Sequence, residues 1–325
     1  MAWKYPFPEL PFHKVNTYPL SQRKNLVGQE NLVDLSRWQA SGEVWDLIPD
    51  ILKGRELKAL VEAIIAAREK GKPVIFGLGA HVIKCGLSPI IVDMMKRGLL
   101  QGIAMTGAGA IHDYELSLIG ATSEDVAQVL AEGEFGFAEE TGRLMNEALK
   151  KHIQDKVGIG EALGKDISQQ NFKYKNLSVL ATGFELDLPV TVHLAIGTDI
   201  INLHPSTDPG LLGQGTYNDF QLFSSLVAQL DGGGCYLNVG SAVILPEVFL
   251  KAVSISKNLG YLKNGFTTAN LDMIQHYRPM TNVVNRPTRP YGQGYGITGH
   301  HEILIPLLYY LILSRIRANA GEEPA

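Results

Sequence analysis

The chain has 325 residues and a mass of 35.5 kDa, which is enough for one large α/β domain with a sizeable core. Its hydrophobic content of 45% and mean hydropathy of +0.03 are typical of globular proteins. A net charge of -4 provides no basic surface for nucleic acid, so we expect no nucleic-acid partner. The two cysteines, Cys85 and Cys235, exclude a disulfide framework and favour a reducing compartment, where they act as small buried hydrophobes.

The two ends of the chain differ in composition from its middle. Residues 1–50 combine prolines, aromatics and polar residues without periodicity, which predicts an extended arm that packs on the core or on a neighbouring subunit. No continuous apolar run begins the chain, so we expect a cytoplasmic protein without a secretory signal. The apolar run at 303–313 is about half as long as the roughly 20 residues of a membrane span, so it predicts a buried helix and no membrane partner. Residues 319–325 are expected to form a flexible tail.

Residues 51–318 are predicted to form a single domain of alternating helices and strands. Apolar residues recur at helical spacing over 56–70, and short apolar runs follow at 73–77 and 101–105 with a helical segment between them. This is a β-α-β unit, which implies parallel strands. The pattern predicts a doubly wound α/β fold, with a mostly parallel sheet and helices on both faces. Further strands are predicted at 189–196, 234–239 and 262–268, and further helices at 123–152, 177–187, 217–230, 246–259 and 301–317.

Small and hydroxyl-bearing residues follow successive predicted strands. In an open parallel sheet, ligands bind at the carboxyl ends of the strands. Small residues let a ligand approach the backbone there and offer N–H donors to phosphates. Several such turns together predict a dinucleotide, NAD, as the cofactor. The candidate cofactor-binding residues are Gly77, Gly79, Thr106, Gly107, Ala108, Gly109, Thr198, Asp199, Gly240, Ser241, Thr268 and Ala269.

The first of these turns departs from the standard dinucleotide fingerprint. Gly77-Leu78-Gly79 lacks the third glycine, because position 82 is a valine, and the second predicted strand ends in Met105-Thr106 rather than in an acidic residue. A standard Rossmann dehydrogenase is therefore not expected. Any one of these glycines could also serve only a tight turn.

Residues 74–125 resemble deoxyhypusine synthase, particularly its archaeal and bacterial forms. The resemblance lies in the strand Val74-Ile75-Phe76, the helix that opens on Gly86-Leu87, and the turn Thr106-Gly107-Ala108-Gly109-Ala110-Ile111-His112-Asp113. It continues faintly through Pro189-Val190, Thr198-Asp199, Gly240-Ser241-Ala242-Val243 and Thr268-Ala269-Asn270. It implies a Rossmann-like NAD-binding fold in which Asp199 holds the cofactor ribose. It also implies a homotetramer with sites between two subunits.

The chain departs from this family at its nucleophile. The family oxidises spermidine with NAD and passes an imine to a lysine near the C-terminus, in a Trp-Gly-Lys setting. Here the last lysine is Lys263, and the tryptophans are Trp3, Trp38 and Trp45. A second family lysine aligns with Leu245. We therefore expect hydride transfer without a lysine-imine intermediate, and not deoxyhypusine synthesis.

Arginines replace the residues that would bind a polyamine in the resembled family. Three of them would repel a polycation and favour a carboxylate or phosphate held by a guanidinium fork. The expected substrate is a small amine or an amino acid, such as ornithine losing ammonia through a transient imine. As an alternative, these charges are solvated on a loop. The candidate substrate-binding residues are Arg278, Arg286, Arg289 and Tyr291.

Two histidine segments are candidates for catalysis. His300, His301 and Glu302 follow a glycine-rich stretch, and an imidazole there could take a proton as hydride departs. In the pair His112-Asp113 the carboxylate could orient the imidazole. In the alternative interpretations, Glu302 caps the last helix and Asp113 is a carboxylate near a helix N-terminus.

Two other function classes fit the same sequence. A non-catalytic nucleotide-binding or scaffold protein would keep the fold without the chemistry. A metal-dependent hydrolase would use histidines at the predicted strand ends and loops, yet no two of them have the His-x-x-x-His spacing of a helical metal site, so no metal is expected. Those histidines are His81, His112, His193, His204, His276, His300 and His301.

Overall fold

The computed structural model describes residues 10–29, 44–45 and 48–320. Much of the predicted arm, including Trp3 and Trp38, lies outside the described residues. The predicted tail begins inside the last helix, which runs to Ala320, and residues 321–325 are not described. No helix in the described ranges is long and apolar enough to cross a membrane.

Six parallel strands form the central sheet, and two antiparallel strands pair beside it. In chain order the strands are β1 (Asn25–Gly28), β2 (Val74–Leu78), β3 (Gly102–Thr106), β4 (Ala121–Glu124), β5 (Val190–His193), β6 (Cys235–Val239), β7 (Thr267–Asp272) and β8 (Gln293–Thr298). The sheet order is β5-β3-β2-β6-β7-β8, and every neighbouring pair is parallel, whereas β1 pairs with β4. The predicted α/β fold with a parallel sheet is confirmed.

Helices connect the strands and cover the sheet. They are α1 (Leu52–Glu69), α2 (Ala80–Lys84), α3 (Ser88–Lys96), α4 (Gly107–Ile119), α5 (Val126–Val129), α6 (Glu139–His152), α7 (Ile159–Gln169), α8 (Val179–Glu185), α9 (Pro209–Ala228), α10 (Ile244–Asn258), α11 (Tyr277–Pro279) and α12 (His301–Ala320). A π-helix at Met280–Asn285 follows α11 directly. Short 3-10 turns lie at Phe12–Lys14, Leu20–Gln22, Leu130–Glu132, Lys175–Leu177 and Ile200–Leu203.

Both faces of the sheet are buried by helices. Successive side chains of a strand point to opposite faces, so each strand contributes to both cores. In β2, Phe76 joins a cluster with α1, α3 and α12, while Ile75 joins a second cluster with α9 and α10. Continuous apolar strands of this kind are typical of parallel sheets covered by helices on both faces. The apolar runs that predicted β2, β3 and β6 are these doubly buried strands.

Three predicted elements differ from the structure. Residues 123–152 were expected to be one helix, but β4 opens the segment and α6 begins only at Glu139, because Gly133 and Gly136 adopt left-handed φ values of 74° and 82°. The strand predicted at 262–268 lies later, at Thr267–Asp272. The glycine-rich stretch before His300 contains β8, an edge strand of the sheet.

The strand order reverses next to β2. From β2 the chain adds β3 and β5 on one side, and it later returns to add β6, β7 and β8 on the other. The carboxyl ends of β2 and β6 therefore form a topological switch point, the usual location of ligands in open α/β sheets.

Candidate functional site

A cavity of about 200 Å³ lies at the carboxyl ends of β3 and β5. Four predicted site residues meet here: Ala108, His112, Thr198 and Asp199. The N-terminal segment, α2 and β4 complete the wall. The lining residues are Arg23, Lys84, Ala108, Ile111, His112, Glu115, Ser123, Glu124, Val126, Phe135, Thr198, Asp199 and Ile200.

The N-terminus of α4 forms one wall of the cavity. Thr106 ends β3 and caps the helix, because its hydroxyl accepts a hydrogen bond from the Gly109 N–H at 3.2 Å. A Cβ built at Gly107 would collide with the Asp199 carboxylate. The glycine therefore lets this carboxylate approach the positive end of the helix.

Asp199 is a cavity residue with unused hydrogen-bonding capacity. Its side chain is buried and accepts the backbone N–H of Ala108, but its Oδ2 has no hydrogen-bond partner among the described residues. Burial raises the pKa of this carboxyl to about 6. A buried acceptor without a partner calls for an explanation, and a ligand hydroxyl or ammonium group in the cavity would provide the missing donor.

His112 belongs to a chain of hydrogen bonds that fixes its tautomer. Its Nδ1 lies 2.7 Å from the Thr122 hydroxyl, which in turn donates to Glu115. Because the hydroxyl proton goes to Glu115, Nδ1 of His112 carries the proton and Nε2 is the acceptor. Burial lowers the pKa of His112 to about 4, so the ring is neutral at pH 7.

Glu115 is held ionised in the interior by Arg23. The guanidinium donates to both carboxylate oxygens, at 2.8 and 2.7 Å, and the hydroxyls of Thr122 and Thr141 also donate to Glu115, that of Thr141 at 2.8 Å. Burial alone would raise the pKa of Glu115, but the hydrogen bonds and charge of Arg23 outweigh it, and the pKa lies below its ordinary value. Arg23 and Glu115 carry no local sequence signal, because their pairing depends on the docking of β1 against β4.

Lys84 brings a positive charge to the opposite wall from α2. Its side chain is half-buried and forms no ion pair within the part of the chain that the structure describes. Glu124, by contrast, already accepts the Gly136 N–H at 3.1 Å and the Tyr18 hydroxyl at 2.8 Å. The charges left for a ligand are thus one cation, Lys84, and one buried carboxylate, Asp199.

The Asp113 carboxylate is not hydrogen-bonded to the imidazole of its sequence neighbour His112. It is fully buried and accepts hydrogen bonds from the Ser178 hydroxyl at 2.6 Å and from the N–H groups of Val179 and Leu180 at 2.8 and 3.1 Å. Burial raises its pKa to about 6. Its contacts are those of a side chain that satisfies the N-terminus of α8, which is a structural role.

The predicted catalytic residues His300, His301 and Glu302 lie at the start of α12 and form a separate cluster at the ends of β2 and β7. His301 is buried, with Nε2 3.2 Å from the Leu271 carbonyl oxygen, and its ring lies 5.4 Å from that of His81. Glu302 Oε2 lies 3.6 Å from the Cys85 Sγ, and the exposed His300 has its Nδ1 3.8 Å from Glu302 Oε1. None of the three predicted residues lines the cavity that contains His112.

Three of the predicted cofactor glycines serve packing. Gly77 lies inside β2, where a Cβ would collide with the Tyr236 ring. A Cβ at Gly79 would collide with the Gly240 carbonyl, and one at Gly240 would press on the His301 ring. The carboxyl ends of β2 and β6 therefore pack directly against each other. The cavity lies next to this switch point, at the ends of β3 and β5.

The remaining cofactor candidates are bonded within the protein. Ser241 accepts the Leu245 N–H at 3.2 Å and so supports the start of α10. Thr268 and Ala269 lie inside β7 because this strand extends to Asp272, and the Thr268 hydroxyl donates to the Val283 carbonyl at 2.8 Å. These side chains do not line the cavity.

The four predicted substrate-binding residues do not converge. Arg278 lies 3.5 Å from Glu247, and Arg286 donates to Asn282 at 3.2 Å. The π-helix then carries the chain back to the amino end of the sheet before β8 begins. Arg289 and Tyr291 are exposed there, at the edge opposite the cavity.

Comparison with known proteins links the chain to others by fold. No protein-family model and no curated protein matches it. An AgrE mutant in complex with L-arginine aligns with 82% of this chain and 34% of its own, at 15% identity and a TM-score of 0.52. AgrE in complex with ornithine and NAD+ aligns with 82% and 33%, at 12% identity and a TM-score of 0.50. The chain shares its fold with the aligned part of AgrE.

The matches to AgrE cover only part of that protein. The chain spans about a third of the length of AgrE. The structural neighbours also include a protein from Entamoeba histolytica assigned as a deoxyhypusine synthase, at 9% identity and a TM-score of 0.48 over 85% of this chain and 94% of that one. Likeness at this level concerns the arrangement of helices and strands and says nothing of activity.

Proposed function

We propose that this protein binds NAD at the β3/β5 cavity and oxidises a small amine or amino acid without a lysine-imine intermediate. The observation that carries the proposal is Asp199, a buried carboxylate that lines the cavity at the N-terminus of α4 and whose Oδ2 has no hydrogen-bond partner among the described residues. Support for the ligand classes comes from AgrE, a protein of the same fold whose complexes contain ornithine with NAD+ and L-arginine.

The cavity residues fit the ribose part of the cofactor. Asp199 offers an acceptor for ribose hydroxyls, and the first turn of α4 offers the positive end of a helix without bulky side chains. The volume of about 200 Å³ is below the roughly 300 to 1,000 Å³ of whole-ligand pockets. We therefore assign it a ribose and its surroundings rather than the entire dinucleotide. When bound, the nicotinamide would supply the hydride acceptor.

The remaining polar groups suit an amine or amino acid. Lys84 binds a substrate carboxylate as a point charge. His112 presents Nε2 as the acceptor for a substrate N–H and takes its proton, while Thr122 and Glu115 hold the ring in that tautomer. The buried wall contributed by Arg23 and Glu115 limits access of water to this acceptor.

Titration with NAD+ and NADH, followed by thermal shift and calorimetry, tests the cofactor assignment. Both forms should raise the melting temperature, because a ligand that binds only the folded state stabilises it. Loss of a hydrogen bond to a charged acceptor costs about 1.5–3 kcal/mol, so Asp199→Asn should weaken binding about 10- to 100-fold. Asp155→Asn, an exposed aspartate, serves as the control. Absence of stabilisation by either form, or equal affinity of Asp199→Asn, would overturn the assignment.

An absorbance assay for reduced nicotinamide, run over a panel of amines and amino acids, tests the activity. Lys84→Arg should keep turnover of a carboxylate-bearing substrate and Lys84→Met should reduce it, because a charge partner tolerates arginine whereas an imine-forming lysine does not. Loss of activity in Lys84→Arg would contradict the absence of a lysine adduct. Binding of NAD without turnover of any panel member would instead favour a non-catalytic nucleotide-binding protein.

A further inference from the structure

Three potential metal ligands converge next to the switch point, apart from the cavity. The Nδ1 or Nε2 of His81, the Cys85 Sγ and a Glu302 carboxylate oxygen all lie within 4.8 Å of one another. The Cys85 N–H donates to the His81 carbonyl at 2.9 Å, so the two residues are one helical turn apart. Residues spaced i and i+4 share a helix face, and Glu302, in the first turn of α12, lies against that face.

The three donor groups have few competing contacts and are reachable from solvent, although Glu302 Oε1 also lies 3.8 Å from the exposed His300 Nδ1. Within the described ranges the His81 side chain makes no hydrogen bond, and the Cys85 thiol has Glu302 as its hydrogen-bond partner, at 3.6 Å. His81 and Cys85 are half-buried and Glu302 is exposed. An ion therefore has both an entry path and ligands that need not leave other partners.

We propose that His81, Cys85 and Glu302 bind one zinc-class divalent metal ion. Thiolate and imidazole together select zinc and related transition metals over magnesium or calcium. Binding forms the metal–sulfur bond as the thiol releases its proton to solvent, with no change in oxidation state. Three protein ligands leave the fourth tetrahedral position to water or to a ligand atom, which is the arrangement of catalytic rather than structural zinc sites.

His301 packs against His81, one of the three proposed ligands. Its buried ring packs edge-on against His81 at 5.4 Å and is itself anchored at 3.2 Å by the Leu271 carbonyl. Mutation of a residue that orients a metal-ligating histidine typically lowers metal affinity by about 10- to 100-fold. We assign His301 as a positioning residue for His81.

The metal site does not depend on the proposed NAD site. Both border α2, but His81 and Cys85 belong to the metal cluster while Lys84 lines the cavity. Failure of one proposal therefore leaves the other standing. NAD binding, measured with and without metal, separates the two.

Metal binding to the chelator-treated full chain tests the proposal. Zn²⁺ titration should give one ion per chain, and Co²⁺ should give a thiolate-to-cobalt charge-transfer band together with the visible bands of tetrahedral cobalt. Cys85→Ala should abolish the charge-transfer band and lower Zn²⁺ affinity by at least about 100-fold. His301→Gln should lower it by about 10-fold or more without removing the band.

Two controls match the two ligand types. Cys235→Ala removes the other cysteine, which lies inside β6, and His276→Gln removes an exposed histidine. Neither should change the stoichiometry or the spectrum. Lack of stoichiometric binding of either metal, or a band that survives Cys85→Ala, would overturn the proposal. If Cys85→Ala proves unfolded by circular dichroism, the exposed Glu302→Gln provides the same test, with weaker binding expected and unchanged binding contradicting the site.

Discussion

Arg23 and Glu115 form an ion pair inside the protein, although 92 positions separate them in the sequence. Their side chains are 2% and 1% exposed. The positive charge comes from the segment just before β1, and the carboxylate comes from the middle of α4. The wall of the candidate cavity therefore depends on a residue from the start of the described chain.

Arg23→Met should destabilise the protein by about 3–5 kcal/mol, because it leaves Glu115 as a buried charge without its partner. Urea unfolding monitored by circular dichroism measures this change. The control is Arg55→Met, whose guanidinium pairs with Asp50 on the surface and should cost about 0–1 kcal/mol. Replacing both members, as Arg23→Met with Glu115→Leu, should recover part of the loss. Equal costs for Arg23→Met and Arg55→Met would contradict a structural ion pair.

Gly107→Ala and Gly109→Ala should change stability in opposite directions. Both positions lie in the first turn of α4, where alanine is the better helix former by up to about 1 kcal/mol. At position 107 the added methyl would collide with Asp199 and Leu194, so we expect a net loss of about 1–3 kcal/mol. At position 109 the nearest atom would lie 3.5 Å away, an ordinary contact. Thermal unfolding of the two variants measures the contrast, and a stabilised Gly107→Ala would disprove the close approach.

Acid should destabilise the protein through His112. The folded-state pKa of about 4 lies below the ordinary histidine value of 6.5, so the stabilising contribution is complete above pH 6.5 and is lost as the pH falls towards 4. Between about pH 7.5 and about pH 5 the loss amounts to about 2 kcal/mol. His112→Gln should remove that part of the pH dependence, as seen in chemical unfolding at both pH values. The surface variant His276→Gln should keep the wild-type pH dependence, and a His112→Gln profile parallel to wild type would refute the prediction.

Asp199→Asn should stabilise the free protein while it weakens cofactor binding. Burial raises the folded-state pKa of Asp199 from 3.8 to about 6, so ionisation opposes folding as the pH rises through that range. Above pH 6 the neutral amide should therefore gain about 1–3 kcal/mol, and below pH 4 the gain should vanish. Unfolding curves at both pH values report it. A variant that is less stable at high pH would indicate that the carboxylate serves the fold rather than a ligand.

The sequence predicted the central strands of the sheet better than it predicted β4 and the edge strand β8. β2, β3 and β6 are continuous apolar runs that only a doubly covered sheet can bury, so their assignment needed no tertiary information. β4 was mistaken for helix because its polar sequence becomes a strand only by pairing with β1. β8 was hidden by its glycines, which are tolerated because the strand lies at the edge of the sheet.

Some residues of the candidate site could be predicted from the sequence and others could not. His112, Ala108 and Asp199 followed from strand ends, since the chemistry of an open sheet concentrates there. Arg23 and Lys84 had no local signal, because only the folded chain brings them to the cavity. His81 was predicted to lie near a strand end. Its spacing to Cys85 is His-x-x-x-Cys, which the His-x-x-x-His pattern does not detect. Asp113 was misjudged because adjacent residues on a helix point in different directions.

The central position of β2 has a consequence for synthesis on the ribosome. β3 and β5 can pair as soon as they emerge, but the other edge of β2 finds its partner only when β6, beginning at Cys235, has been made. Until then a five-residue apolar strand is an open edge, and such edges recruit other chains. Nascent chains that end before β6 should therefore be the species most prone to aggregate and most dependent on chaperones.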